Sequence, residues 1–343
     1  MRGWTGGLGA LVLSAVLMGG AALAATTVRG SDDPEVGAVC RRLADRAPPA
    51  ADRPDAATTH ALKNCSSENL YYGIGIARDP VRARQCAFVE ADGSDADDPF
   101  AGRSMLMTIY ANGEGVRRDL DLATRYACES YWATAELEFR VRRLQSYKAK
   151  AWTGHDFGVC TDATSGHLEG FCAAHDASIA DAARHGAAKR RSAGWSAAER
   201  AAFPALQAAF KRFVDLRSDA EVDQSGTGRN ANTIAEEQAQ DKAFDALVGA
   251  VDAGRLPVAG PAEARAADAA LNVAYRRALG TPAKGEAGTI TADGVRRTQR
   301  AWVAYRDAWL AFARRVRPDL SADALLTSLT RARVTALSEL AQN

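Results

Sequence analysis

Gly73-Ile74-Gly75-Ile76-Ala77-Arg78-Asp79 returns 40 residues later as Gly113-Glu114-Gly115-Val116-Arg117-Arg118-Asp119. A tyrosine precedes each copy, Tyr72 in one and Tyr110 in the other. Glycine tolerates the left-handed conformation that ends a helix, so Gly73 and Gly113 read as helix stops. Asp79 and Asp119 then read as N-caps of the next helices, and Pro80 suits a first helical position. The spacing predicts helix, turn, helix, twice over residues 56–150, with Ala83 and Ala123 small where helices touch. Repeats of this length stack helical units and present surfaces to partners.

Working outward, a looser repeat fills the second half. Asp181 and Gln207-Ala208-Ala209-Phe210-Lys211-Arg212-Phe213 recur as Asp268 and Gln299-Arg300-Ala301-Trp302-Val303-Ala304-Tyr305. Ser196-Ala197-Ala198-Glu199 has the form of a capping box and starts a helix with Leu206, Phe210, Phe213 and Leu216 on one face. Ser225-Gly226-Thr227-Gly228 interrupts the pattern before a helix carrying Glu236, Glu237 and Asp241. Residues 254–260 link to the second copy. There Thr291 caps a helix with Trp302, Tyr305, Trp309 and Phe312 at helical steps, and Ser321 starts a last helix. Helical spacing assigns the aromatic stripe to a core; an exposed stripe would stack on sugars or anchor a partner. No stretch reads as a strand, so the fold class is all-α.

At the other end, residues 1–24 read as a secretory signal. Arg2 is followed by the apolar run Leu11–Met18, and Ala22-Leu23-Ala24 fits the small-residue cleavage rule. No later stretch approaches span length, so the exported chain is expected to carry no membrane span. Asp33 and Pro34 open a short helix, and residues 47–54 form a proline-rich linker. The formal charge of +1 falls to 0 without Arg2, which leaves no global field to draw the chain onto nucleic acid. Local basic runs, Arg140-Val141-Arg142-Arg143 and Lys189-Arg190-Arg191, read as solvated helix faces.

The six cysteines lie between Cys40 and Cys172. An even count in an exported chain points to disulfides. Cys160 and Cys172 bracket one loop. Cys65 and Cys86 lie symmetrically about the Gly75-Ile76 turn, and Cys40 is then left to Cys128. A competing pairing joins Cys86 to Cys128, one repeat apart.

Two resemblances follow from these motifs. The 56–150 pattern, best in Met107, Tyr110, Gly113, Gly115, Val116, Asp119 and Ala123, resembles Sel-one-like repeats, which are tetratricopeptide-related helical hairpins. This implies scaffolding between proteins and no catalysis. Asp268-x-x-Leu271-Asn272-x-x-Tyr275, with Gln299-x-x-Trp302-x-x-Tyr305-Arg306-Asp307, resembles the lysozyme inhibitor LprI-like N-terminal domain. The stretch Cys160–Cys172 with Glu169 and Asp181 is similar to the start of the same domain, so residues 157–250 read as a divergent first copy before the clearer copy at 261–341. The resemblances imply tetratricopeptide-like helical hairpin repeats followed by two small helical domains. The family name implies inhibition of lysozyme.

Cys160, His167, Cys172 and His175 have no zinc-finger spacing, and exported thiols oxidise, so no metal is expected. The acid pairs Glu221 with Asp223 and Glu236 with Glu237 read as solvated, with ordinary acidities. The five histidines suggest no triad, the glycine pairs lack the strand and third glycine of a dinucleotide site, and no P-loop or G-x-S-x-G elbow occurs. No cofactor and no catalytic residue are therefore expected. Lysozymes are often basic and work through a carboxylate-lined cleft. The stretch Glu221-Val222-Asp223-Gln224-Ser225-Gly226-Thr227-Gly228-Arg229 is the candidate partner-binding loop. Its acids Glu221 and Asp223 would steer, and Ser225, Gly226, Thr227 and Arg229 would make contact. Three functions stay open: an envelope protein that binds a protein partner such as a lysozyme, a repeat-based adaptor for an envelope protein, and, last, an enzyme of wall polymers.

Overall fold

The structure, a computed structural model, describes residues 31–93, 98–280 and 288–342. The expected export signal lies outside them. Thirteen helices run in order among these residues: α1 (Pro34–Leu43), α2 (Ala56–Ala61), α3 (Ser67–Tyr72), α4 (Pro80–Ala91), α5 (Gly102–Asn112), α6 (Leu120–Glu129), α7 (Thr134–Ala149), α8 (Gly166–Ala193), α9 (Ala197–Ala220), α10 (Arg229–Asp252), α11 (Pro261–Gly280), α12 (Ala292–Val316) and α13 (Ala322–Leu340). No strand occurs among the described residues, and the chain is all-α. The linker at 47–54 is more ordered than its prolines imply. It holds a short 3-10 turn at Ala50–Asp52, and α2 follows directly.

The first half is built of hairpins. Gly73 and Gly113 end α3 and α5 in the left-handed region, at φ 76° and 68°. Asp79 and Asp119 cap α4 and α6 through their side chains. The two turns share further bonds. Asp79 N–H donates to Leu70 O, and Asp119 N–H to Tyr110 O. Arg78 and Arg118 each donate from Nε to the carbonyl seven residues back, at 2.8 Å. Ala83 and Ala123 are fully buried where helices meet. Disulfides join Cys40 to Cys128, Cys65 to Cys86 and Cys160 to Cys172. The first ties α1 across the hairpins to α6, and the second closes the turn before α3 onto α4.

One reading of the basic runs is corrected. Arg140 is fully buried, not solvated. Its guanidinium lies 3.8 Å from the Trp132 ring centroid and donates to Val159 O. Its neighbours on α7 are partnered as well, Arg142 by Asp33, Arg143 by Asp162 and Lys148 by Asp121.

The second half is two sets of three helices, α8–α10 and α11–α13. Within each set the first and third helices pair along their lengths. In the first set they run parallel, with Gly166 against Thr227 and Arg184 bonded to Asp241. The middle helices α9 and α12 pack on each other across the sets. They run antiparallel, since Leu216 O accepts from Thr298 while Phe203 lies near Phe312. Phe213 and Tyr305, equivalent positions of the looser repeat, stack on each other at 5.4 Å with planes 9° apart. Leu168 of α8 joins the cluster of the first half, while helices α9 to α13 bury one continuous apolar cluster. Trp302, Tyr305, Trp309 and Phe312 all lie inside it, so the aromatic stripe is core.

Candidate interaction surface

The 221–229 loop sits where the two sets meet, between α9 and α10, and is fastened at several points. Asp223 accepts from Ser225 N–H and Oγ, and from Thr289 N–H and Oγ1 of the turn before α12. The Ser225 hydroxyl leads these bonds in holding the Asp223 carboxyl down at about 2. Gln224 N–H donates to Thr289 Oγ1 at 2.7 Å, and its side-chain amide bonds Ser218 O and Thr233 Oγ1. Arg229 closes the turn onto Gly226 O. Gly226 stands at φ 75°, with open space where a Cβ would project. Ser225, Gly226, Thr227 and Arg229 are exposed. The result is a slim tip on a fixed base.

The acids do not take the solvated places expected of them. Glu221 is turned inward, its side chain 5 % exposed, and meets the fully buried Arg333 of α13 through two bonds of 2.6 and 2.7 Å. A third bond runs from Arg333 Nε to Gln299 of α12. Glu236 pairs with Arg217 at 2.6 Å. Arg333 was not singled out from the sequence. The available signal was its place on the apolar stripe of α13, four residues after Leu329 and four before Leu337.

The remaining motif residues separate into two groups. Gln299, Trp302 and Tyr305 work inside the junction. Asp268 and Asn272 lie exposed on α11, where Asn272 Nδ2 donates to Asp268. Asp268 therefore bonds within its own helix. Arg306 covers the Trp302 ring at 5.6 Å and pairs with exposed Asp307. A cleft of about 660 Å³ opens between α10 and α13, floored by Phe213, Trp302 and Tyr305 and rimmed by Arg217, Glu236, Arg255 and Glu339.

Metal-ligating side chains converge among the described residues at Cys65, Cys86 and Glu90. Those two sulfurs are bonded to each other, and Glu90 accepts from Ser67 and Gly102 N–H. The Cys160 and Cys172 sulfurs are likewise spent on one bond. His175 bonds Glu68 at 2.6 Å and stacks on Phe100, which anchors α8 to the first half. No helix of the described residues is long and apolar enough to cross a membrane.

Comparison with known proteins adds one match. Residues 259–337, which span α11, α12 and most of α13, match the family model described as Lysozyme inhibitor LprI. No curated protein and no solved structure matches the chain.

Proposed function

We propose that this is an exported cell-envelope protein that works by contact and that its partner is a lysozyme. The observation that carries the reading is the match of residues 259–337 to the lysozyme-inhibitor family model. Export is supported by three disulfides, since such bonds persist in oxidising compartments. On this reading residues 1–24 direct export, and α8–α10 is a divergent copy of the matched unit. The antiparallel packing of α9 on α12, with the repeat positions Phe213 and Tyr305 stacked on each other, supports that second statement.

The inhibitory element is the tip Ser225-Gly226-Thr227 with Arg229. A loop held rigid before binding avoids much of the ordering cost of association. The tip is narrow, and its glycine lets backbone approach a cleft wall closely. Because the charge of Glu221 is met by Arg333, the tip offers hydroxyls and main chain, with the ionised Asp223, held by neutral donors, at its base.

Turbidity clearing of bacterial walls tests the reading. The mature protein should suppress lysozyme activity near one-to-one stoichiometry. Replacing Ser225 and Thr227 by arginine should weaken this at least tenfold, with the helical circular dichroism of the chain retained. Absence of inhibition at stoichiometric excess, across several lysozyme classes, removes the idea.

A further inference from the structure

The cleft between α10 and α13 has a construction that the lysozyme reading does not use. The two helices run antiparallel along it, since Glu236 shares a hollow with Leu340 at one end and Ser321 Oγ reaches Ala259 O at the other. α10 turns Ala239, Ala243, Ala246 and Ala250 to the cleft, and α13 turns Ala332 and Ala336. Side chains this short keep the gap open above the buried aromatic floor of Phe213, Trp302 and Tyr305. The lining of α10 runs from Glu236 to Ala250, which at 1.5 Å per residue is a length of about 21 Å. A volume of about 660 Å³ spread over that length has a mean cross-section of about 30 Å². An α-helix with its side chains is 10–12 Å across and fills roughly 80 Å² or more. The cleft therefore takes one extended chain and no helix.

The polar side chains of the lining decide which kind of chain. The Ser328 and Thr335 hydroxyls donate to carbonyls of their own helix. Gln240 donates to Glu236, Glu236 pairs with Arg217 at 2.6 Å, and Arg333 is held by Glu221 and Gln299. These walls offer nothing to the main chain of a peptide, and a buried main-chain group without a partner is costly. A hydrocarbon chain has no such groups. The two charged side chains left over stand at opposite ends. Arg255, on the link after α10, and Glu339, near the end of α13, are exposed and have no ionic partner among the described residues. An anionic head is drawn to the Arg255 end and kept from the Glu339 end. An apolar cleft with a charged group at one fixed place is how small-molecule sites are commonly made.

We propose that this cleft binds a single long acyl chain with an anionic head, the head at Arg255 and the tail running over Phe213, Trp302 and Tyr305 toward the Arg217–Glu236 pair. The site goes beyond the lysozyme reading and does not depend on it.

Equilibrium dialysis of radiolabelled palmitate against the delipidated mature chain, below the micellar range, tests this. Saturable binding of one palmitate per chain is expected. Laurate, four methylenes shorter, should bind at least tenfold more weakly, since each buried methylene adds to affinity. Arg255→Ala should weaken palmitate at least fivefold and leave uncharged hexadecanol unchanged. Ala243→Trp, at an exposed position of α10, should weaken both at least tenfold with helical circular dichroism retained. Lysophosphatidylglycerol, the other single-chain anion, should compete for the same site, and the tighter of the two names the source of the head. Failure of both to bind saturably, binding indifferent to Ala243→Trp, or an Arg255→Ala variant that does not separate acid from alcohol overturns the proposal. Self-association of the mature chain that Ala243→Trp abolishes, without acyl binding, gives the cleft to a second copy and overturns it equally.

Discussion

Glu221→Ala isolates the contact that joins the two halves of the C-terminal cluster. In the native chain Arg333 is wholly buried, and its charge is met by both Glu221 oxygens and by Gln299. Removing the carboxylate leaves a guanidinium with one neutral acceptor in an apolar cluster. Breaking a buried pair from one side costs about 3–5 kcal/mol, because the surviving charge keeps its desolvation penalty. With a urea dependence of about 2 kcal/mol per molar, the unfolding midpoint of the 166–342 helices should fall by about 2 M. Tryptophan fluorescence reports it, since Trp302 and Trp309 lie inside the cluster. The double variant Glu221→Leu with Arg333→Met should recover most of the loss, because apolar replacement of a buried pair is often neutral or stabilising. A single-variant loss below about 1 kcal/mol, or a double variant no better than the single, refutes the reasoning.

Three further outcomes are expected. Residues 259–342 alone should self-associate in sedimentation velocity, because without α9 they expose the face of α12 that carries Tyr305; a well-behaved monomer contradicts the shared core. Changing Cys40 and Cys128 to serine should cost the array about 4–5 kcal/mol by the chain-entropy argument, given a separation of 88 residues, while calorimetry of the α9–α13 transition stays unmoved; a common shift of both transitions counts against this. The Asp223 carboxyl sits at about 2 when folded, below its ordinary value of about 3.9. Its tie to Thr289 should therefore be intact above about pH 4 and lost as pH falls through about 2, and a Thr289 amide titrating near 4 by NMR contradicts it.

What the sequence makes legible is what local chemistry decides. Gly73, Gly113, Asp79 and Asp119 mark their turns because a left-handed stop and an N-cap act within a few residues. The stripe from Trp302 to Phe312 marks a buried face by its period alone. Arg140 and Glu221 are different. Each is a charged residue whose burial depends on partners far along the chain, Glu221 on Arg333 at 112 residues' remove. Nothing near Glu221 distinguishes it from Asp223, which stays beside the exposed loop. The connection at 152–159 reads in sequence as a plain link, since most of its bonds are made by its main chain and its partners Asn112 and Arg118 sit in a turn already explained by helix capping.

The packing of α9 on α12 gives the C-terminal half a property that neither set would have alone. The stripe on α12 is covered by α9 and α10, through Phe213, Phe210 and Phe244. Residues 259–337, the stretch similar to the inhibitor family, therefore supply only part of the cluster that holds them. The same junction fixes the 221–229 loop, whose start is anchored by Glu221 to α13 and whose middle is anchored by Asp223 to the turn before α12. A loop emerging from one three-helix unit would be pinned at its ends only. Here the second unit holds it from below, so its tip is rigid without a disulfide of its own. Loosening that junction should slacken the loop before it unfolds the chain, because the loop's ties are partly exposed while the aromatic side chains beneath are buried.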